Sequence, residues 1–256
     1  ARFVVNLCAT RLFLFDSSPW LGSIWGLNQW ILLTPDSCKE TLPMTQNNAD
    51  RLRSQLKQTR RDMPAANRQR ASLLLRARLF TWLATTRTTC ADAATPPPSI
   101  VAGFWPLPDE PDLTALYNQW HQHDMVVVLP VMHSADQTLS FHIWHPEMQM
   151  QESSFGVLEP QTSQPLLPDV VLVPTLGFTP QGQRLGYGKG FYDRTLAGFA
   201  ALNHHPTLIG VAWDNANIHD IDPTYQAQAH DHRLDAIATS MAWFPKEPGW
   251  RTIASA

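Results

Sequence analysis

VVLVPTLGFTPQGQRLGYGKGFYDR, residues Val170 to Arg194, is the stretch on which the reading of the fold turns. Val170–Val173 is a short, wholly apolar and largely β-branched run, as expected of a strand buried on both faces in a parallel sheet. A helix is expected from Phe191 to about Leu202. Between the two lies a glycine-rich loop with Gly186, Gly188 and Gly190 at alternate positions. In open α/β sheets, ligands sit beyond the carboxyl ends of strands, and helix N-termini offer free N–H groups to anions. Glycines there let backbone amides approach a phosphate without Cβ obstruction. Arg184, Lys189 and Arg194 add positive charge beside them. Two common phosphate motifs do not fit. A Walker loop needs glycine at position 183 and Ser or Thr after the lysine, where Gln183 and Gly190 stand. The dinucleotide fingerprint needs glycine where Phe191 stands.

Outward from this segment, strands and helices alternate. Ile100–Trp105 and Val126–Leu129 read as buried strands with a helix, Asp112–His123, between them. Leu139–Trp144 alternates like an exposed antiparallel strand, and further strands are expected at Leu208–Trp213 and Ala236–Thr239. Upstream, a basic helix runs from Asp50 to about Asp62, with Leu52 and Leu56 on one face. Pro64 suits the first turn of a second helix. Leu73, Leu74, Leu75, Leu79, Phe80, Trp82 and Leu83 give that helix a broad apolar face. The fold class is α/β: a mostly parallel open sheet with helices on both faces, forming a single three-layer domain.

The 256 residues carry a formal net charge of −3, and the location of the charges is more telling than their sum. Ten of the 19 Lys/Arg lie between Arg51 and Arg87 against one acid, Asp62. From Thr88 onward there are six cations, half of them in the eleven residues from Arg184 to Arg194. A mildly acidic protein that gathers its cations in two places is expected to handle a small anion there. Residues 1–43 read differently from the rest, with three Trp in WLGSIWGLNQW and two of the three cysteines, Cys8 and Cys38. Their uncharged run Ser17–Pro35 contains Pro, Gly, Asn and Gln, which a membrane span rarely combines. The expectation is that 1–43 is a non-functional or mis-started extension and that 44–256 forms the enzyme domain. Cys90 is then the one remaining cysteine, consistent with a reducing cytoplasm.

The run RLGYGKGFYDR, together with Leu52-Arg53, FWPLPDEPDLTAL, VVVLPV, FGVLEP, DVVLVPTLGF, GVAWD and HDHRLDAIAT, resembles the 5-formyltetrahydrofolate cyclo-ligase family, also called 5,10-methenyltetrahydrofolate synthetases. The resemblance covers about 170–200 residues in consistent order. It implies ATP-dependent closure of 5-formyltetrahydrofolate to the 5,10-methenyl form, with Mg²⁺ and release of ADP and phosphate. By the same resemblance the formyl oxygen attacks the γ-phosphate, N10 closes the ring and phosphate departs. ATP is then held by Arg53, Arg184, Gly186, Tyr187, Gly188, Lys189, Gly190, Phe191, Tyr192 and Asp193. Arg184, Lys189 and Tyr192 are the catalytic candidates, and Glu110, Phe155 and Tyr192 contact the folate. Phe178 and Phe191 are further stacking candidates. Asp193 and Asp214 are the expected Mg²⁺ ligands. The family's N-terminal lysine position falls on Ala49, so Arg51 is the nearby substitute, and Arg60 and Arg61 match its basic first helix.

Other readings are open on the residues alone. A sugar-phosphate isomerase or transferase would use the loop for one phosphate and need no ATP. A nucleic-acid-binding module would use the basic helices at 51–87, although only two aromatics, Phe80 and Trp82, lie among those cations. The pairs His121-x-His123, His142-x-x-His145 and His230-x-His232 lack a third ligand at zinc-enzyme spacing. A monomer acting on small molecules, without nucleic acid or membrane partners, is expected.

Overall fold

The computed structural model describes residues 45–93, 95–134, 137–162, 164–226 and 232–250, with side chains from Asn48 onward. The expectations for residues 1–43 and for His230 fall outside them. Two helices, α1 (Thr45–Asp62) and α2 (Ala65–Asp92), precede β1 (Ile100–Ala102). Then come α3 (Thr114–Gln122), β2 (Val126–Val131), β3 (Ser140–Trp144), β4 (Met150–Glu152) and β5 (Leu158–Pro160). The remainder is β6 (Val170–Pro174), β7 (Gly177–Phe178), β8 (Arg184–Leu185), α4 (Phe191–Ala201), β9 (Thr207–Val211), β10 (Ala236–Ala238) and β11 (Trp243–Phe244).

Seven strands form one sheet in the order β11-β10-β9-β6-β1-β2-β3. Its five inner strands run parallel, and the edge strands β3 and β11 run antiparallel to their neighbours. Alternation along each strand sends successive side chains to opposite faces. Val101, Val170 and Leu172 pack with Leu75, Leu79 and Trp82 of α2 and Leu116 and Trp120 of α3. Ala102, Val171 and Val173 pack with Leu52 and Leu56 of α1 and Leu196 and Phe199 of α4. Two helices therefore cover each face, which gives the three layers. Each of these fully buried Leu or Val side chains contributes about 1.5–3 kcal/mol relative to exposure.

Some details differ from the sequence reading. Pro64 stands at the cap before α2 rather than inside its first turn. Leu73 and Leu74 are 58% and 41% exposed, because the face of α2 that meets the sheet passes through Leu75, Leu79, Trp82 and Leu83. The strand β3 was expected to be exposed, but Phe141, His142 and Trp144 are buried. The segment before β6 folds back over this edge, with Leu166 N–H donating to Phe141 O at 2.8 Å. Two small hairpins, β4–β5 and β7–β8, were not anticipated. Their strands are two or three residues long, too short for an alternation pattern to register. Several cations of 51–87 are not simply solvated. Arg76, Arg78 and Arg87 donate to the carbonyls of Asp112, Thr239 and Pro98, closing segment ends against α2.

Candidate active site

The connection after β1 leads toward β2, and that after β6 toward β9, while β1 and β6 lie side by side. The strand order thus reverses between β1 and β6, and such a point opens a crevice at the carboxyl ends of the strands. A cleft of about 250 Å³ lies there. Phe104, Trp105, Leu107 and Glu110 enter it after β1, Met132 after β2 and Pro174 from the end of β6. Phe155 and Val157 come from the β4–β5 hairpin, and Arg184 with Gly186 to Asp193 forms the remaining wall.

That last wall is shaped by the β7–β8 hairpin, in which Phe178 pairs with Arg184 and Gly177 with Leu185. The hairpin places Arg184 on a strand, so the loop proper starts at Gly186. The buried Arg184 guanidinium forms an ion pair with Asp193, in the first turn of α4. Its Nε is buried without a hydrogen-bond partner among the described residues. Gly188 (φ +89°) and Gly190 (φ +68°) adopt left-handed backbone that other residues enter with strain. Gly190 is the residue from which α4 starts. Helix α1 supports the loop from behind: Arg53 Nε donates to Gly186 O at 3.1 Å and Arg53 Nη1 to Asp50 at 2.6 Å. A Cβ on Gly188 would stand 3.2 Å from the Arg53 guanidinium carbon. Arg194 Nη1 donates to Lys189 O at 3.0 Å. Lys189 Nζ lies 5.4 Å from the centre of the Phe155 ring, across the cleft. Phe155 in turn meets Phe191 edge to face at 5.4 Å.

Beneath the loop sits a buried polar network. Tyr187 Oη donates to Glu110 Oε1 at 2.5 Å and accepts from Arg60 Nη1 at 2.6 Å. Arg60 is 1% exposed, also donates to Thr175 O, and approaches Glu110 Oε1 at 3.8 Å. Leu107 N–H donates to Glu110 Oε2 at 3.0 Å. Burial pushes the Glu110 carboxyl above the usual carboxylate range, against the opposing pull of the Tyr187 hydroxyl, the Leu107 amide and Arg60. The Tyr192 phenol is likewise pushed upward by burial, so it keeps its proton and can donate it. Its buried hydroxyl finds no hydrogen-bond partner among the described residues.

Of the residues singled out in the sequence, Glu110, Phe155, Arg184, Gly186, Tyr187, Gly188, Lys189, Gly190, Phe191, Tyr192 and Asp193 line this one cleft. Arg53 touches the loop from its other side. Asp214 is elsewhere. It begins a 3-10 turn after β9, accepts from the Ser240 hydroxyl, and takes the Met241 N–H at 2.8 Å. It faces a different depression, beside Asp62 and Asn67. The reason is local: Asp214 secures the turn joining β10 to β11. Phe178 is also outside the cleft, packed in the core against Phe244. The sequence marks Arg60 only as part of a basic helix, and no local signal singles out Thr175. The one sequence signal for Arg60 was its place four residues after the buried Leu56, near the apolar face of α1. Among the described residues no three His, Cys, Asp or Glu converge as a metal cluster. No described helix is long and apolar enough to cross a membrane.

The model of the 5-formyltetrahydrofolate cyclo-ligase family matches residues 45–240. The 5-formyltetrahydrofolate cyclo-ligase of Mycolicibacterium smegmatis is 30% identical over 207 residues, which are 77% of this chain and 95% of that one. The Haemophilus influenzae 5-formyltetrahydrofolate cyclo-ligase is 30% identical over 127 residues, 47% of this chain and 67% of its own. Among solved structures, a 5,10-methenyltetrahydrofolate synthetase from Mycoplasma pneumoniae superimposes with a TM-score of 0.58 at 20% identity. That superposition covers 75% of this chain and 99% of the other, and it shows a shared fold.

Proposed function

The chain belongs to the 5-formyltetrahydrofolate cyclo-ligase family, and we propose that it closes 5-formyltetrahydrofolate to the 5,10-methenyl form, consuming ATP with Mg²⁺ and releasing ADP and phosphate. The observation that carries this reading is the shared cleft: an anion-binding glycine loop and a buried carboxylate, Glu110, face one aromatic-walled space.

The chemistry explains why such a cleft is needed. Closing a formamide onto a neighbouring amine must expel the formyl oxygen, and hydroxide is a poor leaving group. The formyl oxygen therefore attacks the γ-phosphorus and ADP leaves. N10 then attacks the formyl carbon and gives up its proton, and phosphate departs with the oxygen. The protein's share is alignment and charge neutralisation. The amides from Gly186 to Gly190 cradle the triphosphate, with Lys189 and Arg184 supplying charge and Arg53 holding the loop in shape. Glu110 accepts the paired N–H donors of the pterin, and Phe155 with Phe191 flanks the ring system. The buried Tyr192 hydroxyl donates to the transferring phosphoryl group, over whose oxygens the charge is spread as the formyl oxygen attacks.

The donor set fits Mg²⁺. Asp193 opens into the cleft with its side chain 26% exposed, and it offers one hard carboxylate oxygen beside the anion loop. An ion completed by substrate phosphates and water needs little more from the protein. Mg²⁺ bound there would neutralise phosphate charge. Cys90, a buried free thiol, is in keeping with a reducing cytoplasm.

Incubation with 5-formyltetrahydrofolate, ATP and Mg²⁺ tests the proposal through the absorbance of the methenyl product. Product that depends on ATP is expected. No product, or product without ATP, overturns it.

A further inference from the structure

We propose that Tyr187 couples the two halves of this cleft, so that nucleotide held by the glycine loop strengthens folate binding at Glu110, and folate strengthens nucleotide binding in return. The inference rests on the reading of the cleft given above and adds a positioning residue to it.

Tyr187 has one end in each subsite. Its backbone lies between Gly186 and Gly188, inside the loop assigned to the phosphates. Its hydroxyl donates to Glu110 at 2.5 Å and accepts from Arg60 at 2.6 Å. The far end of this relay does not move with the loop, because the buried Arg60 is also bonded to the Thr175 carbonyl just beyond β6. The other Glu110 oxygen is occupied by the Leu107 amide at 3.0 Å. The direction of the carboxylate is therefore set by two donors, and one of them belongs to the nucleotide loop.

A buried carboxylate depends on its hydrogen bonds, since each one offsets lost hydration. Pterin N–H groups would add donors to those from Tyr187 and Leu107, and the set is complete only when Tyr187 is in place. Left-handed Gly188 lets the backbone next to Tyr187 take a conformation that other residues enter only with strain. A loop closed on phosphates fixes the Tyr187 hydroxyl, and a fixed hydroxyl presents Glu110 to the ring. Linkage requires the effect to be reciprocal.

The test uses the full chain and the non-hydrolysable pair Mg²⁺ and adenylyl imidodiphosphate. Isothermal titration gives the Kd of 5-formyltetrahydrofolate with and without that nucleotide, and of the nucleotide with and without folate. In the wild type each ligand should tighten the other by about 5-fold or more, by the same factor in both directions. Tyr187→Phe, which keeps the ring, should bring both factors to about 1–2. Tyr187→Met takes its place if the Phe variant does not fold. A purely structural role would lower both affinities and leave their ratio intact. Wild-type factors near 1, or a variant that keeps the wild-type factors, overturn the coupling alone. A wild type that binds neither ligand overturns the reading of the cleft, and the coupling with it.

Discussion

Replacing Tyr192 by Phe should stabilise the protein and slow it, two effects of opposite sign from one oxygen atom. The hydroxyl is buried and has no hydrogen-bond partner among the described residues. A buried polar group left unsatisfied costs about 1–3 kcal/mol, and Phe keeps the ring while removing that cost. For a chain of this length, 1 kcal/mol corresponds to a rise in Tm of roughly 2–4 °C. In the proposed reaction the same hydroxyl donates to the transferring, negatively charged phosphoryl group. A hydrogen bond to a charged group is worth about 1.5–3 kcal/mol, so kcat/KM should fall about 10- to 150-fold. Urea unfolding gives the first sign and the methenyl absorbance assay the second. A destabilised variant would mean that the hydroxyl has a partner in the folded enzyme. A stabilised but fully active one would mean that it does not touch the reacting atoms.

Arg60→Leu should lose about 3 kcal/mol in urea unfolding, the low end for breaking a buried pair, because Glu110 can answer by taking up a proton. The raised Glu110 carboxyl predicts a pH dependence. The folded state binds this proton more tightly than the unfolded state, so its stabilising contribution is complete below the ordinary glutamate range near about pH 4 and is lost as pH rises through the folded value. Unfolding free energies of wild type and Glu110→Gln, measured from pH 4 to 8, should diverge in favour of the variant as pH rises; parallel curves would refute the raised value. Lys189→Ala should weaken ATP binding by about 10-fold, the loss of one charge-assisted phosphate contact, and folate binding by much less. Equal losses in titration calorimetry would count against the assignment of the loop.

Much of the fold was legible because its signals are local. The apolar run Val170–Val173, the alternation of strands with helices, and the glycines before Phe191 each report on neighbours a few residues away. Most of the cleft wall was legible for the same reason, since Arg184 to Asp193 is one continuous segment. Asp214 shows where that logic ends. An acid at the end of a strand is equally suited to holding a metal or a turn, and no local signal shows that Ser240 and Met241 come to donate to it. Leu73 and Leu74 show it again, because an apolar helix face has a direction that composition does not reveal.

The amino-acid sequence by itself determined the class of fold, the glycine-rich loop and the family. Tertiary structure alone decided how the loop is tied to the rest of the site. Tyr187 meets Glu110 across 77 positions and Arg60 across 127. No periodicity spans such distances. The three groups meet because the sheet places β1 beside β6 and α1 packs across the same face, bringing remote strand ends and one helix to a single buried point where each polar atom must find a partner.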